Sequence, residues 1–62
     1  MEIKEIDKNI GNPICINTRL DGENTFLIII TKRERSNVFF AYTGELSGIG
    51  IGMMHRTDFW RV

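Results

Sequence analysis

The sequence has very little cysteine and histidine, with one copy of each, Cys15 and His55. One thiol cannot form an internal disulfide, and one Cys with one His falls short of the four ligands of a structural zinc site. A chain of 62 residues that lacks these stabilisers must depend on close packing or on a partner subunit, because so small a domain buries only about 60% of its unfolded surface. A single unpaired thiol also favours the reducing cytoplasm.

An excess of charge of one sign and long hydrophobic runs are missing as well. Eight basic and eight acidic residues give a formal net charge of zero, which argues against strong non-specific binding of nucleic acid. No stretch approaches the roughly 20 apolar residues of a membrane span. Residues 1–9, MEIKEIDKN, lack the apolar segment of a secretory signal. We therefore expect one small folded domain over residues 1–62, cytoplasmic and without a membrane partner.

A recognisable catalytic or cofactor motif is also lacking. Nothing in the sequence indicates that Cys15 and His55 meet, and the acidic pair Asp21 and Glu23 falls in a predicted turn. The glycines of GIGIG, residues 48–52, do not have the G-x-G-x-x-G spacing of a phosphate-binding loop, and no helical pattern follows them. The sequence predicts no enzyme activity, no cofactor and no metal.

The chain does contain short apolar segments separated by turn signals. Residues 14–20 alternate, with Ile14, Ile16, Thr18 and Leu20 on one face, which predicts a half-buried strand. Segments 25–32 and 38–42 are apolar at both parities, which is typical of strands covered on both faces. The remaining strands are predicted at 46–54 and 58–62, and the turns at 21–24, 33–37 and 43–45. Residues 3–10 favour a short helix that Gly11 and Pro13 end, although an edge strand remains an alternative.

These segments predict a mainly all-β fold: a small antiparallel β-meander or curled barrel of about five strands, with a short N-terminal helix. So short a chain has little material with which to cover two faces of a sheet. Either the sheet curls on itself or a second copy covers it, and we therefore expect a homo-oligomer.

A helix, five strands and a DG turn (Asp21 and Gly22) after the first strand are similar to the order of elements in the Sm-like RNA-binding barrels. In that family the apolar residues before the DG turn have the opposite parity, and its second strand carries a glycine that FLIIIT, residues 26–31, lacks. No family is assigned on this resemblance, and no residue role is transferred from it.

Two local features are candidates for binding. Gly48, Gly50 and Gly52 leave one side of a strand without side chains, which weakens a strand unless something compensates. The compensation could be sharp curvature, a ring such as Trp60 or Phe40 lying over the backbone, or close approach by another chain. In the last segment Phe59 and Trp60 have opposite parities, so one should point outward beside Arg61 as an interaction anchor. The candidate binding set is Gly48, Gly50, Gly52, Phe59, Trp60 and Arg61.

The sequence thus favours a non-enzymatic protein-interaction module that associates with itself and acts as an inhibitor or adaptor of a larger protein target, as small phage or mobile-element inhibitors of host enzymes do. The alternative is an oligomer that binds nucleic acid or a nucleotide through a basic hairpin tip and the C-terminal aromatic residues, because sheet surfaces bind single strands by stacking beside basic groups. Its candidate residues are Lys32, Arg33, Arg35, His55 and Arg56.

Overall fold

The computed structural model describes residues 1–18, 24–44 and 48–62. A short helix precedes five strands: α1 (Ile3–Asn9), β1 (Pro13–Thr18), β2 (Asn24–Glu34), β3 (Asn37–Gly44), β4 (Gly48–His55) and β5 (Phe59–Arg61). The strands form one antiparallel sheet in the order β4-β3-β2-β1-β5. This confirms the predicted small antiparallel fold with an N-terminal helix, and the sheet is open, not a closed barrel.

The alternation predicted for the first strand is present in β1. Ile14, Ile16 and Thr18 are buried on one face, and Cys15 is exposed on the other. Leu20, which the alternation also predicts to point inward, and the turn predicted from Asp21 lie outside the described residues, apart from Asn24 at the start of β2. Each inward side chain of β1 therefore adds to a single core on one side of the sheet.

The hairpin between β2 and β3 is tighter than the sequence predicts. Glu34 pairs with Asn37, so the turn consists of Arg35 and Ser36 alone, and the predicted turn over residues 33–37 was too long. Arg35 has a φ of 55°, the left-handed conformation that a two-residue hairpin turn uses. The pairing shifts between Ile30 and Lys32, leaving one extra residue in β2. This bulge changes which side chains of β2 point toward the helix.

The connection from β4 to β5 requires the sheet to curl. His55 ends β4 at one edge of the sheet, and Phe59 begins β5 at the other edge, with only Arg56–Asp58 between them. A flat five-stranded sheet would separate its edges by about 19 Å, whereas four residue steps reach at most about 14 Å. The backbone N–H of Arg56 also donates to the carbonyl of Ser36 in the β2–β3 turn, at 2.7 Å. The two edges are therefore close together at this end.

The core lies inside this curl, between the sheet and α1. A helix of seven residues is marginal by itself, so its docking onto the sheet must stabilise it. Ile6 is fully buried, and the N–H of Gly11 donates to the carbonyl of Ile30 at 2.9 Å. The buried apolar residues are Ile6, Ile14, Ile16, Ile28, Ile30, Val38, Phe40 and Phe59. We call the sheet face that carries them the core face, and the opposite side the outer face.

Aromatic rings account for the glycines of β4. Gly52 pairs with Phe40, and Gly50 pairs with Tyr42, across the β3–β4 ladder. A Cβ built on Gly52 would lie 2.8 Å from Cζ of Phe40, and a Cβ on Gly50 would overlap the Tyr42 ring. Of the compensations considered from the sequence, a ring over the bare backbone is therefore present at both positions.

Candidate interaction surface

The outer face of the sheet carries several apolar side chains that are exposed in the described part of the chain. The strand register identifies the members of this face, because directly paired residues point to the same side. Its apolar members are Cys15, Leu27, Ile29, Phe39, Ala41, Ile51, Met53 and Trp60.

These residues form rows that cross the sheet. Ile29 pairs with Ala41, and Ala41 pairs with Ile51, which gives a row over three strands. A second row joins Phe39 and Met53, and a third joins Cys15 and Leu27. Trp60 pairs with Asn17 and so belongs to the same face at the β5 edge. The outer face therefore carries apolar side chains on both edge strands, although the row of Trp60 also contains the hydrogen-bonded polar pair Asn17 and Thr25.

The exposed fractions of these side chains are high for apolar residues. Ile51 is 86% exposed, Met53 56%, Leu27 47%, Ile29 40% and Trp60 40%. Single exposed apolar residues are ordinary on protein surfaces, but a contiguous apolar patch marks an interaction site. Segments 25–32 and 38–42 were predicted to be covered on both faces; among the described residues, Leu27 and Ile29 of the first are exposed on the outer face, while Phe39 and Ala41 of the second are half-buried there.

Charged groups flank this surface toward the β2–β3 turn. Nζ of Lys32 lies 4.6 Å from the centre of the Phe39 ring and 3.1 Å from Oε1 of Glu34. Both side chains of this ion pair are more than half exposed, so the pair itself contributes little stability. The Lys32–Glu34 pair is electrically neutral and forms a polar boundary to the apolar patch, as the polar rim of a protein interface does.

The two aromatic candidates of β5 lie on opposite faces of the sheet, as the alternation of side chains along a strand predicts. Phe59 is buried in the core, whereas Trp60 lies on the outer face. Arg61 shares the parity of Phe59, and its Nη1 is 4.0 Å from Oε1 of Glu5 on α1. Of the three, Trp60 is therefore the residue placed to touch a partner on the outer face.

The glycines do not form a single bare surface. Gly50 and Gly52 lie beneath Tyr42 and Phe40, and each fills a packing role inside the chain. Gly48 is the first residue of β4 and pairs with Gly44, but its surroundings lie outside the described part of the chain. Contact between these glycines and a partner stays a prediction.

The structure brings the two groups of basic residues together. His55 pairs with Asn37 beside the β2–β3 turn, and Arg56 is bonded to Ser36 within it, so both adjoin the tip of residues 32–35. Acidic groups occupy part of this cluster, however. Arg33 donates from Nε to Oδ1 of Asp7 at 2.7 Å and from Nη2 to Oδ2 at 2.9 Å. This two-bond contact lowers the pKa of Asp7, mainly through the hydrogen bonds from Arg33.

His55 and Arg56 are held in place by local contacts. Nδ1 of His55 accepts from the backbone N–H of Thr57 at 3.3 Å and lies 2.7 Å from Oγ1 of the same residue. Nη1 of Arg56 donates to the carbonyl of Met1 at 3.4 Å, while its Nε is buried without a hydrogen bond. The amino group of Met1 donates to the carbonyls of Arg56 and Phe59. These contacts fasten the start of the described chain to the β4–β5 link.

Comparison with known proteins assigns no relatives. No family model, no curated protein and no solved structure matches this chain. Within residues 1–18, 24–44 and 48–62, no helix has the length and apolar character needed to cross a membrane. The same residues contain no group of three or more His, Cys, Asp or Glu side chains arranged to hold a metal ion.

Leu27, Ile29, Ile51 and Met53 dominate the outer face and are not in the candidate binding set predicted from the sequence. The signal was present in the strands that are apolar at both parities. The pattern identifies strands with apolar side chains on both faces, but it does not identify the exposed residues, because the sequence does not show which face of each strand packs against the helix.

Proposed function

We propose that this protein is a non-enzymatic interaction module whose outer face binds a second copy of the same chain. The observation that supports it is the apolar surface from Trp60 to Ile51: among the described residues, the rows through Ile29 and Leu27 contain no charged side chain, and Lys32 enters only the row of Phe39 at the β2–β3 end. A surface without central charges can meet its own copy without placing like charges in contact.

The free energy available is of the size that self-association requires. Burying a fully exposed aliphatic side chain contributes about 2 kcal/mol. Applied to the exposed fractions of Leu27, Ile29, Ile51 and Met53 in both copies, this gives about 9 kcal/mol. Trp60 adds to this, and association itself costs on the order of 4–15 kcal/mol. At the lower end of that cost the surplus is about 5 kcal/mol before Trp60 is counted, so we expect weak association, with a Kd of roughly 10–200 μM.

The test compares two variants that add the same charge to an exposed isoleucine. Ile51→Lys places an ammonium group within the apolar row of the outer face, whereas Ile10→Lys places it at the C-terminal end of α1, which packs on the core face. The two native side chains are 86% and 42% exposed, so neither change should disturb the core. Size-exclusion chromatography with light scattering over a wide concentration range should show association in the wild type and in Ile10→Lys, and a monomer for Ile51→Lys.

Cys15 supplies an independent measurement on the same face. Its thiol is exposed in the single chain and lies in the row with Leu27. If copies associate through this face, a maleimide should label Cys15 more slowly as the protein concentration rises, and Ile51→Lys should remove that dependence. A wild-type protein that stays monomeric at every concentration contradicts the proposal.

An inhibitor or adaptor role on a larger protein, in the cytoplasm, extends this proposal. The target would compete for the outer face, so pull-down of a protein by the wild type should be weaker with Ile51→Lys. The nucleic-acid alternative is less well supported, because Asp7 and Glu34 already pair with Arg33 and Lys32. Salt-sensitive binding of a labelled oligonucleotide that requires Arg35 would favour that alternative instead.

A further inference from the structure

The core face contains a cavity whose described lining residues belong to that face, apart from Ile51 of the outer face. It encloses about 280 Å³ and is open on one side. Its walls come from β1, β2, β3 and β4, and no residue of α1 contributes to them. The side chains that give it its character are Ile16, Phe26, Ile28, Phe40, Tyr42 and Met54.

The glycines of β4 explain why this space is not filled. Because Gly50 and Gly52 have no side chains, the rings of Tyr42 and Phe40 lie directly over the β4 backbone. The two ring centres are 6.0 Å apart, and the ring planes are inclined by 51°. Larger residues in place of the glycines would displace both rings from β4 and into the space between the strands. The GIGIG segment thus allows the cavity to exist.

The chemistry of the walls defines what could bind. The described residues that line the cavity include no charged side chain, so an ionised ligand would lose part of its hydration without an opposite charge among them to compensate. The aromatic rings and the Met54 thioether offer favourable contacts to a planar aromatic molecule. The hydroxyl of Tyr42 makes no hydrogen bond within the described residues and could pair with one polar group of a ligand.

The volume sets the size of the ligand. Apolar cavities of about 150 Å³ take up benzene, and this cavity is almost twice as large. We propose that the cavity binds a small, neutral aromatic molecule of about two fused rings that carries one hydroxyl or similar group. Ile51 also borders the cavity, but the cavity residues used in the test, Phe40, Tyr42 and Met54, lie on the core face, so the test is separate from that of the self-association.

The test uses two naphthalene derivatives and two tryptophan variants. 1-Naphthol is neutral, and 1-naphthalenesulfonate presents the same rings with a charge. Met54→Trp places an indole in the cavity, while Met53→Trp places the same group on the outer face next to it. Titrations followed by amide chemical shifts in NMR should show that wild type and Met53→Trp bind 1-naphthol, at least tenfold more tightly than the sulfonate. Met54→Trp should lose this binding.

Contacts between 1-naphthol and the wild-type protein test the proposal even if Met54→Trp does not fold. Nuclear Overhauser effects should connect the naphthol ring protons to the Met54 methyl group and to the Phe40 and Tyr42 rings. Equal binding of the sulfonate, Overhauser effects only to Leu27 or Met53, or no binding of naphthol by the wild type would each overturn the proposal. Failure of this test leaves the self-association result unaffected.

Discussion

Replacing Gly52 with alanine should destabilise the protein, although glycine-to-alanine changes in strands usually stabilise. A Cβ at this position would lie 2.8 Å from Cζ and 3.0 Å from Cε2 of Phe40, well inside the 3.5–4.0 Å of a good carbon contact. Phe40 is only 7% exposed, so its ring can yield only by leaving the β4 backbone and entering the cavity that it lines. Overpacking of this kind costs about 1–3 kcal/mol, and the lower entropy of the unfolded chain returns about 0.4–1 kcal/mol.

The net expectation is a loss of about 1–2 kcal/mol in the free energy of unfolding, a large part of the roughly 3–9 kcal/mol of a domain this size. Equilibrium urea denaturation measures it, at several protein concentrations so that any contribution from self-association is visible as a shift of the midpoint. A double-mutant cycle with Phe40→Leu isolates the ring contact. In the Phe40→Leu background the alanine should cost nothing. A stabilising Gly52→Ala with zero coupling to Phe40 would refute the reasoning.

Two further predictions concern other parts of the fold. Arg33 lowers the pKa of Asp7 from its usual 3.8, so the contact stabilises the fold above that pH and is lost as the pH falls through the lowered pKa. Acid titration of the unfolding midpoint should therefore show a steeper loss of stability below pH 3.8 for the wild type than for Asp7→Asn. Parallel curves for the two proteins would contradict this. Phe59→Ala should lower the free energy of unfolding by about 3–5 kcal/mol, and Trp60→Ala by less than half of that, because their side chains are 1% and 40% exposed. Thermal unfolding measures both changes, and equal losses of stability would place Trp60 in the core.

Much of the sheet follows from local sequence patterns. The alternation in residues 14–20 identifies Ile14 and Ile16 as core residues, because a strand's side chains alternate between faces. The opposite parities of Phe59 and Trp60 likewise predict one buried and one outward ring. These inferences need only the geometry of a single strand.

The rest depends on contacts between residues far apart in the chain. The bulge between Ile30 and Lys32 moves Arg33 to the side of Val38, and this orients it toward Asp7 of α1. Nothing near Arg33 in the sequence indicates this pairing, since the two residues are 26 positions apart. For the same reason, the residues of the outer face could be named only once the helix was located on the opposite side.

The pairing of β5 with β1 also has a kinetic meaning. Ile16, Asn17 and Thr18 meet partners 41 to 45 positions further along the chain, whereas the β2–β3 hairpin closes over two residues. Long loops cost more entropy to close, and contacts between distant residues slow folding. The hairpin can therefore form early and locally, while the three-residue β5 must wait for a curled sheet to receive it. Until it does, the site that Phe59 fills stays open to solvent, so the final step of folding is also the step that closes the core.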